Sequence, residues 1–229
     1  MTTILAQISD PHIRLEPGDE GSGAALVAAV EAVLALDPLP DAVLISGDLA
    51  DGGTAAEYER VRELLTPLPM PVHVLPGNHD RLDWDGPYAA DVGDLRLIAC
   101  DTTIPGRDGG RLDLDWLEAQ LAISMAPTIV AMHHPPLLTG IHALDAIGLP
   151  ELERAALAAL LDRSPQVIRV AAGHVHRAAF GTIGGCPVVT CPGTNWQTKL
   201  EIGAAGFTVV KEPPAFVIHT ADVAHVQPI

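Results

Sequence analysis

Acidic, amide and imidazole side chains follow five short apolar segments of the sequence, and these are the side chains that could do chemistry. They fall at Asp10 and His12, at Asp48, at Asn78, His79 and Asp80, at His133 and His134, and at His174 and His176. Carboxylate and amide oxygens and imidazole nitrogens bind divalent cations, and histidine also transfers protons. If the apolar segments are parallel strands, their carboxyl ends share the edge where α/β proteins place ligand sites.

Each position taken alone has an ordinary structural explanation. A single Asp after a strand is commonly a helix cap, and Asp48 could cap a turn that leads to a helix at Thr54. Asn78 could be a turn residue. A lone histidine is usually a core or surface residue, an explanation kept for His73, His142, His219 and His225. The coincidence of five such segment ends, one of them Gly-Asn-His-Asp, favours a functional cluster.

Seven of these side chains are candidate metal ligands: Asp10, His12, Asp48, Asn78, His133, His174 and His176. Seven protein ligands are too many for one ion and suit two divalent cations about 3.5 to 4 Å apart if one carboxylate is shared. The nitrogen and oxygen donors suit Mn, Fe, Zn, Co or Ni. Such a pair ionises a bridging water, and the resulting hydroxide attacks phosphorus. His79 is the candidate proton donor to the leaving oxygen, and Asp80 the carboxylate that orients its imidazole.

Short apolar segments and amphipathic segments alternate along the chain and must position these residues. Strands are predicted at 4–8, 42–45, 72–75, 95–99, 129–132 and 167–171. Helices are predicted at 24–36, 54–65, 113–121 and 150–161, with Pro150 at the first position of the last. The alternation predicts parallel pairing in an α/β core. Later strands at 178–183, 187–190, 207–210 and 216–219 predict a separate antiparallel sheet.

The composition limits the partners and the compartment. The chain has 229 residues, 48% of them hydrophobic, and a formal net charge of −16. This length suits a single domain over 1–229, and the charge predicts repulsion of nucleic-acid polymers and anionic membranes. Cys100, Cys186 and Cys191 form no CxxC pair, which indicates a reducing compartment. Since no apolar segment approaches the ~18 residues that span a bilayer, a cytoplasmic protein is predicted.

Five motifs together resemble those of the calcineurin-like metallophosphoesterases. They are DPH from Asp10, GDLADGG from Gly47, GNHD from Gly77, HHPP from His133 and GHVH from Gly173. The resemblance implies an α/β fold, a four-layer αββα sandwich with two mixed β-sheets, and a binuclear metal site at the carboxyl-terminal strand edge. It also implies that the residue matching His79 contacts the phosphate or protonates the leaving group.

The resemblance also divides the ligands between two metals. One metal takes Asp10, His12, Asp48 and His176, and the other takes Asp48, Asn78, His133 and His174. Asp48 bridges the two, and the first histidine of HHPP is the ligand, which favours His133 over His134. The cofactors implied are two divalent ions drawn from Mn, Fe, Zn and Co.

Within the superfamily, the motifs are most similar to those of bacterial class III cyclic nucleotide phosphodiesterases and glycerophosphodiesterases. This implies hydrolysis of small phosphodiesters of the 3',5'-cyclic AMP type. The chain ends about 50 residues after GHVH, so no large C-terminal cap is expected. Alternatives are a phosphomonoesterase using the same site and a non-catalytic scaffold of the same fold, although the complete ligand set disfavours the scaffold.

Loops around the metal edge are expected to contact the substrate. The candidate substrate-binding residues are Asn78, His79, Trp84, Tyr88, His142 and Trp196. Three of them are aromatic and could stack on a base, in a chain that has eight Trp, Tyr and Phe residues. The alternative for these rings is cover for the core or a homodimer interface.

Overall fold

Two β-sheets face each other in the computed structural model, which describes residues 2–15, 21–81 and 84–229. The strands are β1 (Leu5–Ile8), β2 (Ala42–Ser46), β3 (Val72–Leu75), β4 (Tyr88–Val92), β5 (Leu95–Ala99), β6 (Thr128–Met132), β7 (Val167–Ala172), β8 (Ala179–Ile183), β9 (Cys186–Thr190), β10 (Gln197–Thr198), β11 (Val209–Val210), β12 (Ala215–His219) and β13 (Ala224–Pro228). The helices are α1 (Gly21–Leu34), α2 (Ala55–Leu65), α3 (Leu114–Leu121), α4 (His142–Asp145) and α5 (Glu151–Asp162).

Both large sheets are mixed. The first has the strand order β13-β12-β1-β2-β3, in which β1, β2 and β3 are parallel and β12 is antiparallel to β1. The second has the order β4-β5-β6-β7-β9-β8, in which the edge strands β4 and β8 are antiparallel to their neighbours. Every residue of β1, β2 and β6 is buried, which explains why these strands are mostly apolar rather than alternating.

Three apolar layers hold the sheets and helices together. The outer layer of the first sheet contains Leu26 from α1 and Ile45 from β2. The layer between the sheets contains Leu44 from β2 and Leu97 from β5. The outer layer of the second sheet contains Leu117 from α3 together with side chains of α5. The order helix, sheet, sheet, helix confirms the predicted four-layer αββα sandwich with two mixed sheets.

Local capping sets the starts of two helices. At α2 the Thr54 side chain accepts a hydrogen bond from the Glu57 N–H, and the Glu57 carboxylate accepts one from the Thr54 N–H at 2.8 Å, which is a capping box. Thr54, and not Asp48, therefore caps this helix. At α5 the cap residue is Pro150, with ψ of 150°, so Pro150 precedes the first helical position instead of occupying it.

The predicted separate antiparallel sheet at the end of the chain is wrong. In the described residues β8 and β9 extend the second sheet, β12 and β13 extend the first, and β10 and β11 pair with each other. The apolar pattern identifies these strands but not their partners, because β12 pairs with β1 from the other end of the chain, where Leu5 faces His219.

Four elements of the described chain lie outside the predicted set. β4 and β13 are edge strands with half-exposed, weakly apolar sequences, β10 has only two residues, and α4 is a single turn. β4 occupies residues that were expected to form a substrate loop. Within the described ranges, the structure contains no helix that is both long and apolar enough to cross a membrane.

Candidate metal centre

The seven candidate ligands meet at one edge of the sandwich, where both sheets present the carboxyl ends of parallel strands. β1, β2 and β3 of the first sheet lead to Asp10, His12, Asp48 and Asn78, and β6 and β7 of the second lead to His133, His174 and His176. All of these residues are buried except Asn78, which is partly exposed. Each sheet therefore supplies part of one cluster.

Four of the ligands form a first group, consisting of Asp10, His12, Asp48 and His176, whose ligand atoms lie within 4.8 Å of one another. His12 Nε2 is 3.0 Å from His176 Nε2 and 3.4 Å from Asp48 Oδ2. His176 Nε2 is 3.5 Å from Asp10 Oδ1. Two facing imidazole nitrogens can share only one proton, whereas a divalent cation accepts the lone pairs of both together with the carboxylates. The donors fit a cation.

A second group adjoins the first through Asp48. Asn78 Oδ1 lies 3.1 Å from His133 Nε2 and 3.0 Å from His174 Nδ1. Asp48 Oδ2 is 3.4 Å from His133 Nε2, the same distance that separates it from His12 Nε2 in the first group. One carboxylate oxygen therefore stands between the two groups.

His134 also lies within 4.8 Å of His133 and His174, but both of its ring nitrogens have protein partners. Nδ1 is 2.9 Å from Thr102 Oγ1 and Nε2 is 2.9 Å from the Asp108 carbonyl oxygen. Burial lowers the pKa of His134 to about 3, so this ring is neutral. Its contacts are those of a structural histidine.

The burial of so many titratable groups shifts their pKa values strongly. Burial raises the pKa of Asp10 to about 6. For His12, burial lowers the pKa, but hydrogen bonds to Asp48 and Asp51 outweigh it and raise the value to about 10. For His133, burial is likewise outweighed by the Asp48 charge, and the pKa is about 9. Protons held in this way are released when a cation binds, because metal ligands must be deprotonated.

The backbone at the cluster is strained. The non-glycine residues with positive φ in the described part of the chain are Asp10, His12, Asp48, His174 and His176, with φ between 44° and 70°. Every one of them is a candidate ligand. A left-handed residue with a side chain costs ~1 kcal/mol or more and persists where the surrounding structure imposes it. The strain therefore lies at the residues that must converge.

Two glycines allow the strand ends to approach so closely. Gly47 has φ of 98°, and a Cβ there would fall within 3 Å of the His133 ring. A Cβ on Gly77 would fall within 3 Å of both the backbone and the carboxylate of Asp48. The first glycine of GDLADGG and the glycine of GNHD are thus required by packing between neighbouring strand ends.

A chain of buried hydrogen bonds leads from β12 to Asp10. His219 Nε2 donates to Gln7 Oε1 at 2.9 Å, and Gln7 Nε2 donates to Ser46 Oγ at 2.8 Å. Ser46 Oγ donates to Ser9 Oγ at 2.7 Å, and Ser9 Oγ donates to Asp10 Oδ2 at 2.5 Å. All donors point towards the carboxylate, so the chain fixes its orientation and leaves Oδ1 to face His176.

His79 lies beside the cluster and is more exposed than the ligands. Its backbone N–H donates to Asp48 Oδ1 at 2.9 Å, and its ring is 4.7 Å from the ring of His12. The Asp80 carboxylate points towards the backbone of the loop after β2. It accepts hydrogen bonds from the backbone N–H groups of Leu49, Ala50 and Gly77 and therefore holds the loop, not the imidazole.

Asp51 is the carboxylate next to His79, and the sequence reasoning missed it. Its Oδ1 is 3.0 Å from His12 Nδ1 and 3.6 Å from His79 Nδ1, and its Oδ2 pairs with Arg14 Nε at 2.9 Å. The hydrogen bond to Nδ1 of His12 fixes the tautomer that turns Nε2 towards the cluster. Its position three residues after Asp48 in one motif was the signal that could have identified it.

The candidate substrate residues fall into three sets. Asn78 and His79 line the cavities at the cluster, and the Trp196 ring stacks on His176 with centroids 3.6 Å apart. Trp84 lines a neighbouring cavity. Tyr88 belongs to β4 and its hydroxyl bonds to the backbone of Val74, so it joins the edges of the two sheets.

His142 is the first residue of α4. It is exposed and does not line either of the two cavities at the cluster. Four apolar residues that line the cavity over the cluster were not identified from the sequence. They are Leu144, Ile147, Phe207 and Val209. They come from a hairpin and a helical turn that carry no recognisable motif.

Two cavities share the edge of the cluster. The first has a volume of about 360 Å³ and lies over His12, Asp48, His174 and His176, with Trp196, Phe207, Val209, Leu144 and Ile147 as apolar walls. The second has a volume of about 790 Å³ and is more polar, with Arg81, Trp84 and Arg107 in its walls. Both cavities are lined by Asp51, Asn78 and His79. Ligand groups on either side of the cluster therefore have space.

The fold and the ligand set define a metal-dependent hydrolase built on a two-sheet sandwich. A family model described as Calcineurin-like phosphoesterase matches residues 4–178, a range that contains all seven candidate ligands. The chain belongs to the calcineurin-like phosphoesterase family.

Relatives of similar length carry phosphodiesterase names. The chain is 34% identical over 232 residues to a probable cyclic nucleotide phosphodiesterase of Synechococcus sp., covering 93% of the chain and 89% of the relative. It is 31% identical to a 3',5'-cyclic adenosine monophosphate phosphodiesterase of Pseudomonas aeruginosa (94% and 84% covered). It is 34% identical to a glycerophosphodiester phosphodiesterase of Enterobacter lignolyticus (85% and 78% covered).

A solved structure supports the fold. The structure of a dimetal phosphatase from Danio rerio superposes with a TM-score of 0.68 over 99% of both chains, at 16% identity.

Proposed function

We propose that this chain is a binuclear metal-dependent phosphodiesterase that hydrolyses small phosphodiesters, with 3',5'-cyclic nucleotides as the preferred class. The observation that carries the proposal is the position of Asp48, whose Oδ2 is 3.4 Å from an imidazole nitrogen of each ligand group. A shared carboxylate is what a pair of neighbouring cations requires. The related phosphodiesterases, at 31 to 34% identity, support the reaction class.

The ligand groups would hold one divalent cation each, drawn from Mn, Fe, Zn and Co. Asp10, His12, Asp48 and His176 would hold the first, and Asp48, Asn78, His133 and His174 the second. When bound, the cations supply a water that ionises near neutral pH and positive charge that stabilises the phosphoryl oxygens. In a chain of net charge −16, this site would be the local attraction for an anionic substrate.

His79 is proposed as the proton donor to the leaving oxygen. Its Nδ1 lies 3.2 Å from the Asp51 carbonyl oxygen and can donate to it, which leaves Nε2 as the nitrogen that exchanges a proton with the substrate. The half-exposed ring lines both cavities, so it can reach either ester oxygen. The Asp51 carboxylate lies 3.6 Å from Nδ1, so a negative charge stands beside the imidazole.

The two cavities leave room for substituents on two ester oxygens of an open diester, because volumes of about 360 and 790 Å³ meet at the cluster. In a 3',5'-cyclic nucleotide both ester oxygens belong to one ribose, so its nucleoside would occupy one of the two cavities. A cytoplasmic location is part of the proposal, and the three unpaired, buried cysteines support it.

The test is steady-state hydrolysis by Mn(II)-loaded protein of cyclic AMP, bis-p-nitrophenyl phosphate and p-nitrophenyl phosphate. We expect metal-dependent turnover with both diesters faster than the monoester. His79→Ala should lower kcat on cyclic AMP about 100-fold or more, and less on the nitrophenyl diester, whose leaving group needs little protonation. His225→Ala, at an exposed histidine of β13, is the matched control. Absence of metal-dependent turnover of any diester would overturn the proposal.

A further inference from the structure

Two aromatic rings that line the cavity over the cluster are parallel. Trp196 and Phe207 have an interplanar angle of 5° and centroids 6.5 Å apart. The stacked pair Trp196 and His176 shows the spacing of rings that do touch, with centroids 3.6 Å apart at 14°. The wider separation of Trp196 and Phe207 leaves the two rings as parallel apolar surfaces beside the cluster.

The position of these rings is fixed relative to the cluster. Trp196 precedes β10, and Phe207 lies two residues before β11, with which β10 pairs. The Thr198 N–H donates to the carbonyl oxygen of His176 at 3.2 Å, and the Trp196 carbonyl oxygen is 3.2 Å from His176 Nδ1. Arg177 Nη1 donates to the Thr198 carbonyl oxygen at 2.7 Å. The hairpin is therefore tied to a proposed metal ligand.

The apolar walls around the rings lack protein cover. Phe207 is 45% exposed and Val209 is 52% exposed, although both line the cavity over the cluster. Leu144 and Ile147 also line this cavity and add apolar surface. A volume of about 360 Å³ is within the range of small-molecule sites. Exposed apolar side chains in a cavity of this size suit a flat, apolar part of a ligand.

Resting on the proposed phosphodiesterase function, we propose that Trp196 and Phe207 form a subsite for the nucleobase of a nucleotide substrate. A base in this cavity would stack on the aromatic wall, and stacking accepts any base because every base has a π-face. The subsite therefore selects nucleoside-type diesters over glycerol-type diesters, whose arms have no ring, and it discriminates weakly between adenine and guanine. Phe207 is the specificity-determining residue that this assignment adds.

The experiment compares KM and kcat for cyclic AMP and for glycerophosphoethanolamine in the Mn(II)-loaded protein and in three variants. Phe207→Ala should raise KM for cyclic AMP about 10-fold, as expected for the loss of one base-stacking partner, and leave kcat/KM for the ring-free diester within about 2-fold. Phe207→Tyr keeps the ring and should retain the wild-type KM. Phe180→Ala removes a phenylalanine that is 64% exposed on β8, outside the cavity, and is the matched control.

A second readout separates this subsite from the reaction itself. Adenosine, which has no phosphate, should bind the wild-type protein and change its tryptophan fluorescence, and Phe207→Ala should weaken that binding. If no diester is hydrolysed but adenosine binds through Phe207, the proposed function fails and the subsite stands. If diesters are hydrolysed and Phe207→Ala changes both substrates equally, or changes only the oligomeric state, the subsite is overturned and the function stands.

Discussion

Three aspartates near His79 have different partners and therefore different roles. Asp48 faces the ligand groups, Asp51 faces His12 and His79, and Asp80 accepts hydrogen bonds from backbone amides of the loop after β2. Sequence position brings all three to the same place but does not distinguish them. Only the direction of each carboxylate does so.

Replacement of Asp51 should therefore lower kcat, and replacement of Asp80 should lower Tm. Asp51→Asn removes the charge beside His79 and weakens the hydrogen bond that orients His12, so we expect kcat to fall about 10- to 100-fold with little change in Tm. Asp80→Asn places an amide group against backbone N–H donors and should lower Tm. Kinetics and thermal unfolding of both variants provide the measurement.

The reverse result would restore the role that the motif suggested for Asp80. That result is an Asp80→Asn protein with wild-type Tm and lost activity, beside an active Asp51→Asn protein. Metal content, measured on each variant after purification, distinguishes a lost proton donor from a lost cation.

At the residue scale, the convergence of the candidate ligands could be predicted because each candidate follows an apolar strand. The role of Asp51 could not, because it depends on where the His12 and His79 rings point. The same limit applies to Tyr88, which the sequence places near the cluster. Its hydroxyl instead bonds to Val74 in the neighbouring strand β3.

At the scale of elements, β12 connects the far end of the chain to the cluster. Its His219 is fully buried and begins the hydrogen-bond chain that ends at Asp10. Nδ1 of His219 has no hydrogen-bond partner among the described residues. Burial lowers the pKa of His219 to about 3, with a further contribution from Arg169.

This buried histidine makes the stability of the fold depend on pH. The folded pKa lies below the unfolded value of about 6.5, so the unfolded chain binds more protons and stability falls as the pH drops below about 6.5. Between pH 7 and pH 5, His219 should remove about 2 kcal/mol from the free energy of unfolding. His219→Gln keeps a donor for Gln7 and should lose that share of the pH dependence.

Urea unfolding of both proteins at pH 7 and pH 5 is the measurement. The difference in unfolding free energy between wild type and His219→Gln should move by about 2 kcal/mol in favour of the variant at the lower pH. An unchanged difference would show that His219 titrates normally in the folded state. The other buried histidines are common to both proteins and cancel.

Elements were predictable where the pattern is local. Helix α2 carries its own capping box, and β1, β2 and β6 are mostly apolar segments. The pairing of β12 with β1 and the hairpin of β10 and β11 depend on contacts between distant or weakly patterned segments. The apolar cavity wall comes from such segments, which is why Phe207 was read only as part of a strand.

At the scale of the whole molecule, the net charge of −16 opposes long polyanions. The charge of the local site dominates the electrostatic interaction with a small diester, whereas a polymer must also lie along the acidic surface. Long-range repulsion between like charges is screened by salt.

The expected result is a salt dependence of opposite sign to that of a nuclease with a basic groove. The kcat/KM for a long single-stranded oligonucleotide should be lower than for a dinucleotide with the same linkage. The gap should narrow as salt rises from about 0.05 M to about 0.5 M. Steady-state rates on both substrates across that range test it, and a gap that widens with salt would contradict it.

The cluster takes side chains from both sheets, and this feature also affects the stability of the sandwich. In the proposed assignment, each cation draws on β1, β2 or β3 from one sheet and on β6 or β7 from the other. Occupancy of the site and cohesion of the two halves of the sandwich are then thermodynamically linked. Any change that separates the two sheets at this edge also releases the cations. By reciprocity, bound cations oppose separation of the sheets. The metal centre would thus also stabilise the packing of the two sheets against each other. Chelation would weaken that packing, beginning at the edge that holds the cluster.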